Sequence, residues 1–264
     1  MYRVVGLFRY PLKGGRGESL GEVDVEAGGF RGDRVWACID AQDGTVGSPK
    51  HPGRWGRLLE VSAETVGGEV RLGVAGGRVV VAGTPEADEV LGGFLGRGVR
   101  LSRVVPDGAR LHRLLPEEPG MVPEWMGGLA PGQEAVTDFT SRERFVDFGA
   151  VHVVTTGALE RLARGLGRRA VPVARFRPNV VLEAERDPEP GAEVKLDSVV
   201  FRVLVPTPRC VVPGLGDSGD GVDRWLLGVL ARDHRVTIAG MGAAACFGFY
   251  AEVLVPGRLS LAGS

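Results

Sequence analysis

Val70-Arg71-Leu72-Gly73-Val74-Ala75-Gly76-Gly77-Arg78-Val79-Val80-Val81-Ala82 reads as two short strands folded back on each other across Ala75-Gly76-Gly77. The glycine pair allows the positive φ of a tight connection, and the β-branched residues on both sides favour extended backbone. The same pattern of short β-rich runs between glycines recurs outward in both directions. It predicts strands at residues 3–8, 34–40, 57–61 and 99–105, then at 150–155, 179–183, 199–205, 236–239 and 247–255. Helical signals are few. Thr84-Pro85-Glu86 places a hydroxyl at an N-cap and proline at the first helical position, with Val90, Leu91, Phe94 and Leu95 on one face up to Gly96. Thr156 can cap a second helix that carries Leu159, Leu162, Ala163 and Leu166 and ends at Gly165 or Gly167. Asp220 can cap a third, with Trp225, Leu226, Val229 and Leu230 as its buried stripe.

Residues 106–140 are rich in Pro, Gly and acidic side chains and lack a sustained period, so the joint between two β-rich parts falls there. The expected organisation is an N-terminal module at 1–105, a connecting segment at 106–140 and a second domain at 141–264. The expected fold class is mainly β (α+β), with two β-barrel-like halves and a few short helices.

Composition excludes several function classes. The chain has 264 residues with 32 Lys+Arg against 33 Asp+Glu, a net charge of −1, so it has no broad electrostatic footprint for nucleic acid. Gly (42) and Pro (17) together stay just under the share of about 25–30% that marks low-complexity disorder, which leaves a folded, turn-rich protein. Cys38, Cys210 and Cys246 are odd in number and widely spaced, which supports neither a disulfide framework nor a structural zinc site and fits a reducing cytoplasm. Residues 1–10 lack the features of a signal peptide. The longest uncharged run, 236–251, is interrupted by glycines and is shorter than the roughly 18–20 residues of a membrane span. A soluble, cytoplasmic protein with no nucleic-acid or membrane partner is expected.

Four stretches can carry chemistry. Tyr10-Pro11-Leu12-Lys13-Gly14-Gly15-Arg16-Gly17 puts two cations on a glycine turn whose amides could face an anion, although solvated charges on a turn explain the spacing as well. Gly29-Phe30-Arg31-Gly32-Asp33-Arg34-Val35-Trp36 offers either a surface ion pair or a bidentate arginine contact to phosphate, and Ser48-Pro49-Lys50-His51-Pro52 adds another cation. Arg175-Phe176-Arg177-Pro178-Asn179 would aim two arginines the same way if extended, Pro178 favouring β or polyproline backbone at Arg177. Pro206-Thr207-Pro208-Arg209-Cys210-Val211-Val212-Pro213 sets a cysteine on a stiffened turn beside an arginine, the kind of setting that favours a thiolate, which is both nucleophile and soft-metal ligand. Cys38 and Cys246 sit in apolar runs where packing is the default.

In order, these segments resemble the MOSC superfamily, the C-terminal domains of molybdenum cofactor sulfurases, together with their N-terminal β-barrel partner. Tyr10-Pro11-Leu12-Lys13 and Gly32-Asp33-Arg34-Val35-Trp36 are similar to the N-terminal module. Phe145-Val146-Asp147, Val153-Val154-Thr155-Thr156, Phe176-Arg177-Pro178-Asn179, Arg209-Cys210 and Phe247-Gly248-Phe249-Tyr250 are similar to the MOSC domain, in the branch of the mitochondrial amidoxime-reducing component and its bacterial relatives. The resemblance implies a pyranopterin molybdenum cofactor (Mo-molybdopterin) with Cys210 as metal ligand, and reduction of N-hydroxylated small molecules such as amidoximes and hydroxylamines. It further implies that Lys13, Gly14, Arg34, Arg177 and Arg209 line the cofactor site, that Thr155 and Thr156 approach the pterin, and that Asn179 braces the loop. Pro208 and Gly14 depart from the Ser or Cys, and the Ser, usual in the family. The chain has no ferredoxin-type cysteine cluster, so reduction would need an external donor of ferredoxin or flavin-reductase type. Asp147 and His152 are weighed as general acids against structural roles. Two other functions stay open: sulfur transfer through a persulfide on Cys210, and cofactor binding or carriage without turnover. Replacing Arg177 or Arg34 by Ala should lower cofactor retention more than the stability of the cofactor-free protein, because a surface ion pair is worth little to folding.

Overall fold

A computed structural model describes residues 2–139, 141, 143–216 and 221–262. The first part of the chain carries β1 (Arg3–Arg9), β2 (Glu18–Ser19), β3 (Glu22–Glu26), β4 (Gly29–Phe30), β5 (Ala37–Asp40), the short helix α1 (Pro52–Trp55), β6 (Ser62–Val66), β7 (Glu69–Gly73) and β8 (Val79–Val81). Helix α2 (Pro85–Leu95), β9 (Val99–Ser102), β10 (Arg110–Leu114), β11 (Glu134–Asp138), β12 (Val151–Thr155), α3 (Thr156–Gly165) and β13 (Val180–Glu183) follow. The chain finishes with β14 (Glu193–Leu196), β15 (Val199–Pro208), α4 (Arg224–Asp233), β16 (Arg235–Ile238), β17 (Gly242–Val255) and β18 (Gly257–Ser260).

The fold is mainly β with short helices, as expected. An eight-stranded sheet runs β14-β15-β17-β12-β13-β1-β2, with β16 paired to β17. Its one parallel pair, β12 with β13, is joined through α3. Val4, Leu7, Val151, Val153, Val180, Leu182, Phe201 and Phe249 bury one face. A second cluster packs α3 and α4 through Leu162, Leu226, Leu227, Val229 and Leu230 against Met121, Phe176 and Phe247. The hairpin β7–β8 forms as its glycines dictate, and its Leu72 and Val80 join Trp55, Leu58 and Leu91 in a third cluster. The chain crosses itself twice: β1 pairs with β13, and β18 pairs with β3. Among the described residues no helix is long and apolar enough to cross a membrane.

Several expectations need correction. Residues 57–61 do not form a strand. Pro52 starts α1 with His51 Nδ1 accepting from Arg54 N, and a 3-10 helix at Gly56–Glu60 continues the coil and buries Leu58 and Leu59. Thr155, not Thr156, caps α3 by accepting from Ala158 N. The cap of α4 is Asp223, which accepts from Leu226 N; Asp220 lies outside the described residues. Trp225 is 55% exposed rather than part of the buried stripe of α4, where Leu227 stands instead. Residues 106–140 contain the antiparallel pair β10–β11, with a longer excursion between its strands.

Candidate functional site

The chain leaves β1 at Tyr10, and residues 10–13 run beside 33–36. Tyr10 N donates to Asp33 Oδ1 (2.8 Å), Arg34 N to Tyr10 O (2.7 Å) and Lys13 N to Trp36 O (2.8 Å). This lacing puts Lys13 and Arg34 on the wall of a cavity of about 270 Å³, whose opposite side comes from residues 146–152, 176–179 and 205–212 and from Tyr250. Lys13, Arg34, Lys50, Arg113, Arg177 and Arg209 face Asp147 as the one acidic residue among the described lining, so the wall is strongly cationic. Such a surface suits an anion.

Each cation is held. Arg34 pairs with the buried Asp33, donates to Arg177 O (3.1 Å) and Asn179 Oδ1 (3.3 Å), and lies 4.8 Å from the centre of the Tyr10 ring. Arg177 lies 4.4 Å from the same ring and donates to Gly15 O. Burial, with Arg34 close by, pushes the Arg177 guanidinium down to about 10, while burial pushes the Tyr10 phenol up to about 12. Both arginines adopt left-handed backbone, φ 48° at Arg34 and 54° at Arg177. That conformation is uncommon outside glycine and gathers where a fold fixes functional side chains. The extended fork of Arg175 and Arg177 therefore does not form. Residues 173–176 make a 3-10 turn, Arg177 leaves it left-handed despite Pro178, and Arg175 turns away to Pro213 O (3.0 Å).

Lys13 is only 6% exposed; its Nζ donates to Asp147 Oδ1 (2.8 Å) and Phe145 O (3.1 Å). Lys50 Nζ meets the same carboxylate oxygen at 3.0 Å. Burial pushes Lys13 down to about 8. For Asp147, burial would raise the carboxyl, but Lys13 and Lys50 outweigh it and hold the carboxylate well below its usual range. Burial, and Arg209 beside it, keep His152 neutral. At neutral pH neither Asp147 nor His152 has the proton a general acid needs.

Cys210 sits half-buried on the cavity, directly after β15. Its neighbour Arg209 donates from Nη2 to Phe176 O (3.2 Å), while its buried Nε has no partner among the described residues. Cys38 and Cys246 are buried away from this wall, and burial pushes both thiols up to about 12. Asn179 is a brace: its side chain donates to Phe8 O (3.3 Å) and accepts from His152 N (3.1 Å), tying β1, β12 and β13 together.

The remaining expected residues do not converge on the cavity. Thr155 Oγ1 donates to Asp187 (2.6 Å) and caps α3, and Thr156 Oγ1 bonds Ala184 O (3.3 Å), so strand-end hydroxyls serve the local backbone. Two amides of the glycine turn are already used by the backbone: Gly15 N donates to Leu12 O and Arg16 N to Val61 O. Gly14 does line the cavity, with φ 80° and Pro49 Cδ 2.7 Å from where a Cβ would stand, so the family's serine would be strained here. Arg34 and Arg177 are half-buried in the cavity wall rather than free surface cations. Sequence reasoning passes over the Tyr10 ring beneath both arginines, and over Arg113, Met121, Trp125 and Met126. Their segment has no period, and Met241 joins it from a turn more than a hundred residues later, so no local pattern marks them.

No curated protein matches the chain in sequence. Among solved structures it is similar to the YUAD protein from Bacillus subtilis, at 12% identity and TM-score 0.47 over 98% of this chain and 92% of that one. It is also similar to YiiM from Geobacillus stearothermophilus, at 14% identity and TM-score 0.32 over 48% of this chain and 63% of that one. Residues 1–80 match the family model of the MOSC N-terminal beta barrel domain, and residues 140–262 match that of the MOSC domain. With most of its length covered by these two models, the chain belongs to the MOSC superfamily, whose domains are associated with molybdenum-cofactor-binding proteins.

Proposed function

We propose that this chain is a molybdenum-cofactor oxidoreductase that reduces N-hydroxylated small molecules of amidoxime or hydroxylamine type, with Cys210 as the protein's ligand to the metal. The observation that supports this reading best is the placement of Cys210: it is the cysteine of the three on the cavity, on a wall of six cations, beside a buried Arg209 Nε with no partner among the described residues. The residues fit the group. A thiolate suits a soft metal, and a phosphate-bearing pterin needs cations and hydrogen-bond donors in one place. Among the described residues no cluster of three or more His, Cys, Asp or Glu gathers, so this chain offers a metal one thiolate and leaves its other ligands to the cofactor. Lys13, Arg34, Arg177 and Arg209 would hold the anionic part, and Asn179 keeps their strands in register.

When bound, the group supplies the two-electron redox chemistry. Cleavage of an N–OH bond to N–H and water takes up two electrons and two protons, so an external electron donor completes the cycle. Burial brings Lys13 down to about 8, so its Nζ is protonated at pH 7 and able to release its proton above that.

Protein from a host that makes the cofactor tests this beside a Cys210→Ser variant. Equimolar molybdenum, lost in the variant together with a thiolate charge-transfer band while the fold persists, is the expected result. Metal-free protein with cyanide-releasable sulfur on Cys210 would replace the reading by sulfur transfer. Molybdenum-replete protein that reduces no N-hydroxylated compound with a competent donor would replace it by a carrier.

A further inference from the structure

We infer that the outer part of the cavity is a specificity wall for an uncharged, apolar substituent of the substrate. The inference rests on the reading that the cationic part takes the cofactor. The chain has four methionines, of which Met126 and Met241 line this one cavity while Met121, fully buried in the core beside α3 and α4, backs it. Pro123, Trp125 and Phe148 stand with them, and Trp125 and Phe148 keep 41% and 54% of their surface exposed. Unbranched thioethers adapt to irregular apolar shapes, and exposed aromatic rings gain when an apolar group covers them.

The wall is positioned rather than loose. Its one-turn 3-10 helix, Glu124–Met126, lies in the excursion between β10 and β11. Glu124 Oε2 accepts from Ala243 N at 2.7 Å, and the carboxylate lies 3.6 Å from Arg235 Nη2. That pin brings Trp125 and Met126 to the β16–β17 turn, which carries Met241. Gly242 makes the approach possible: its φ is 92°, and a Cβ there would meet Glu124 Oε2 at 2.7 Å. Arg113, the cation bordering the segment, points its Nε at Thr137 Oγ1 (3.1 Å) and its Nη1 at Met126 Sδ (3.6 Å), so it steadies the wall. The substrate class is therefore an N-hydroxylated head on an uncharged aliphatic or aromatic group.

A series of N-hydroxyamidines with alkyl chains from methyl to pentyl tests this on the molybdenum-loaded enzyme. KM should fall by about two- to fourfold per methylene until the wall is covered. Trp125→Ala and Met126→Ser should flatten the series, raising KM for the pentyl member about tenfold while the methyl member and the molybdenum content stay unchanged. Glu124→Gln should weaken the long members in the same direction by loosening the pin. Without an electron donor, the pentyl member should quench tryptophan fluorescence in the wild type and much less in Trp125→Phe. Turnover with no chain-length dependence overturns the wall and leaves the proposed function standing. Chain-length-dependent quenching without turnover of any member supports the wall and overturns the reductase. Loss of molybdenum from Trp125→Ala also overturns the wall, because the segment would then hold the cofactor.

Discussion

Lys13 keeps an ammonium where little water reaches it, and its displacement to about 8, chiefly by burial, has a definite sign. The folded chain disfavours the charged form. Between about pH 8 and the ordinary 10.5 the unfolded chain binds the extra proton, so stability rises with pH across that window. Cofactor-free wild-type protein should gain melting temperature there relative to Lys13→Met. The stabilisation that inorganic phosphate gives the wild type should fade above pH 8, while in Lys13→Met it should be small and flat. A phosphate effect that ignores pH in the wild type would remove Lys13 from the anion site. Arg34 behaves differently because its partner Asp33 is 1% exposed and its guanidinium is held charged by that carboxylate. Arg34→Ala leaves Asp33 buried with the Tyr10 amide (2.8 Å) but without its cation, at a cost of about 3–5 kcal/mol. Urea unfolding of the cofactor-free variant should therefore show a clear loss of stability, where the sequence alone suggested a surface pair of little consequence.

At the scale of elements, β17 bends at Gly248, which has φ 71°. A Cβ there would stand 2.4 Å from Val153 O and 2.9 Å from His152 Nε2. Gly248→Ala should cost about 2 kcal/mol and lower the melting temperature by about 4–8 °C, read in a thermal melt of the cofactor-free protein. A glycine inside an apolar run carries that bend openly in the sequence, as Gly76-Gly77 does for the β7–β8 hairpin. Other elements were hidden for identifiable reasons. Strand β15 runs on to Pro208 although prolines normally end strands, because β14 accompanies it only as far as Arg202 and register shifts against β17 absorb the missing donors. Residues 57–61 are rich in aliphatic side chains like a short strand, yet the start signal at Pro52 lies upstream and sets a helical continuation. The hydroxyls of Thr155 and Thr156 looked available until α3 and residue 184 took them. For the site, the cavity gathers Cys210, Lys13, Arg34 and Arg177, which the family resemblance singles out where residue type and spacing alone leave surface roles open. The methionine-rich wall was not readable, because its members come from an aperiodic segment and a turn more than a hundred residues later.

At the scale of the molecule, the cavity belongs to neither end of the chain. Lys13 bonds Asp147, Arg34 bonds Asn179, Arg177 bonds Gly15 O, and Asn179 bonds Phe8 O. Strand β1 completes the sheet of the later half, and β18 returns to β3. Contacts this distant in sequence are slow to close. They also order events in time. A ribosome must release residues 8 to 16 long before it makes residues 177, 210 and 250, so during synthesis the early cations have no opposite wall. Under the proposed function, cofactor loading would therefore be a step for the finished chain.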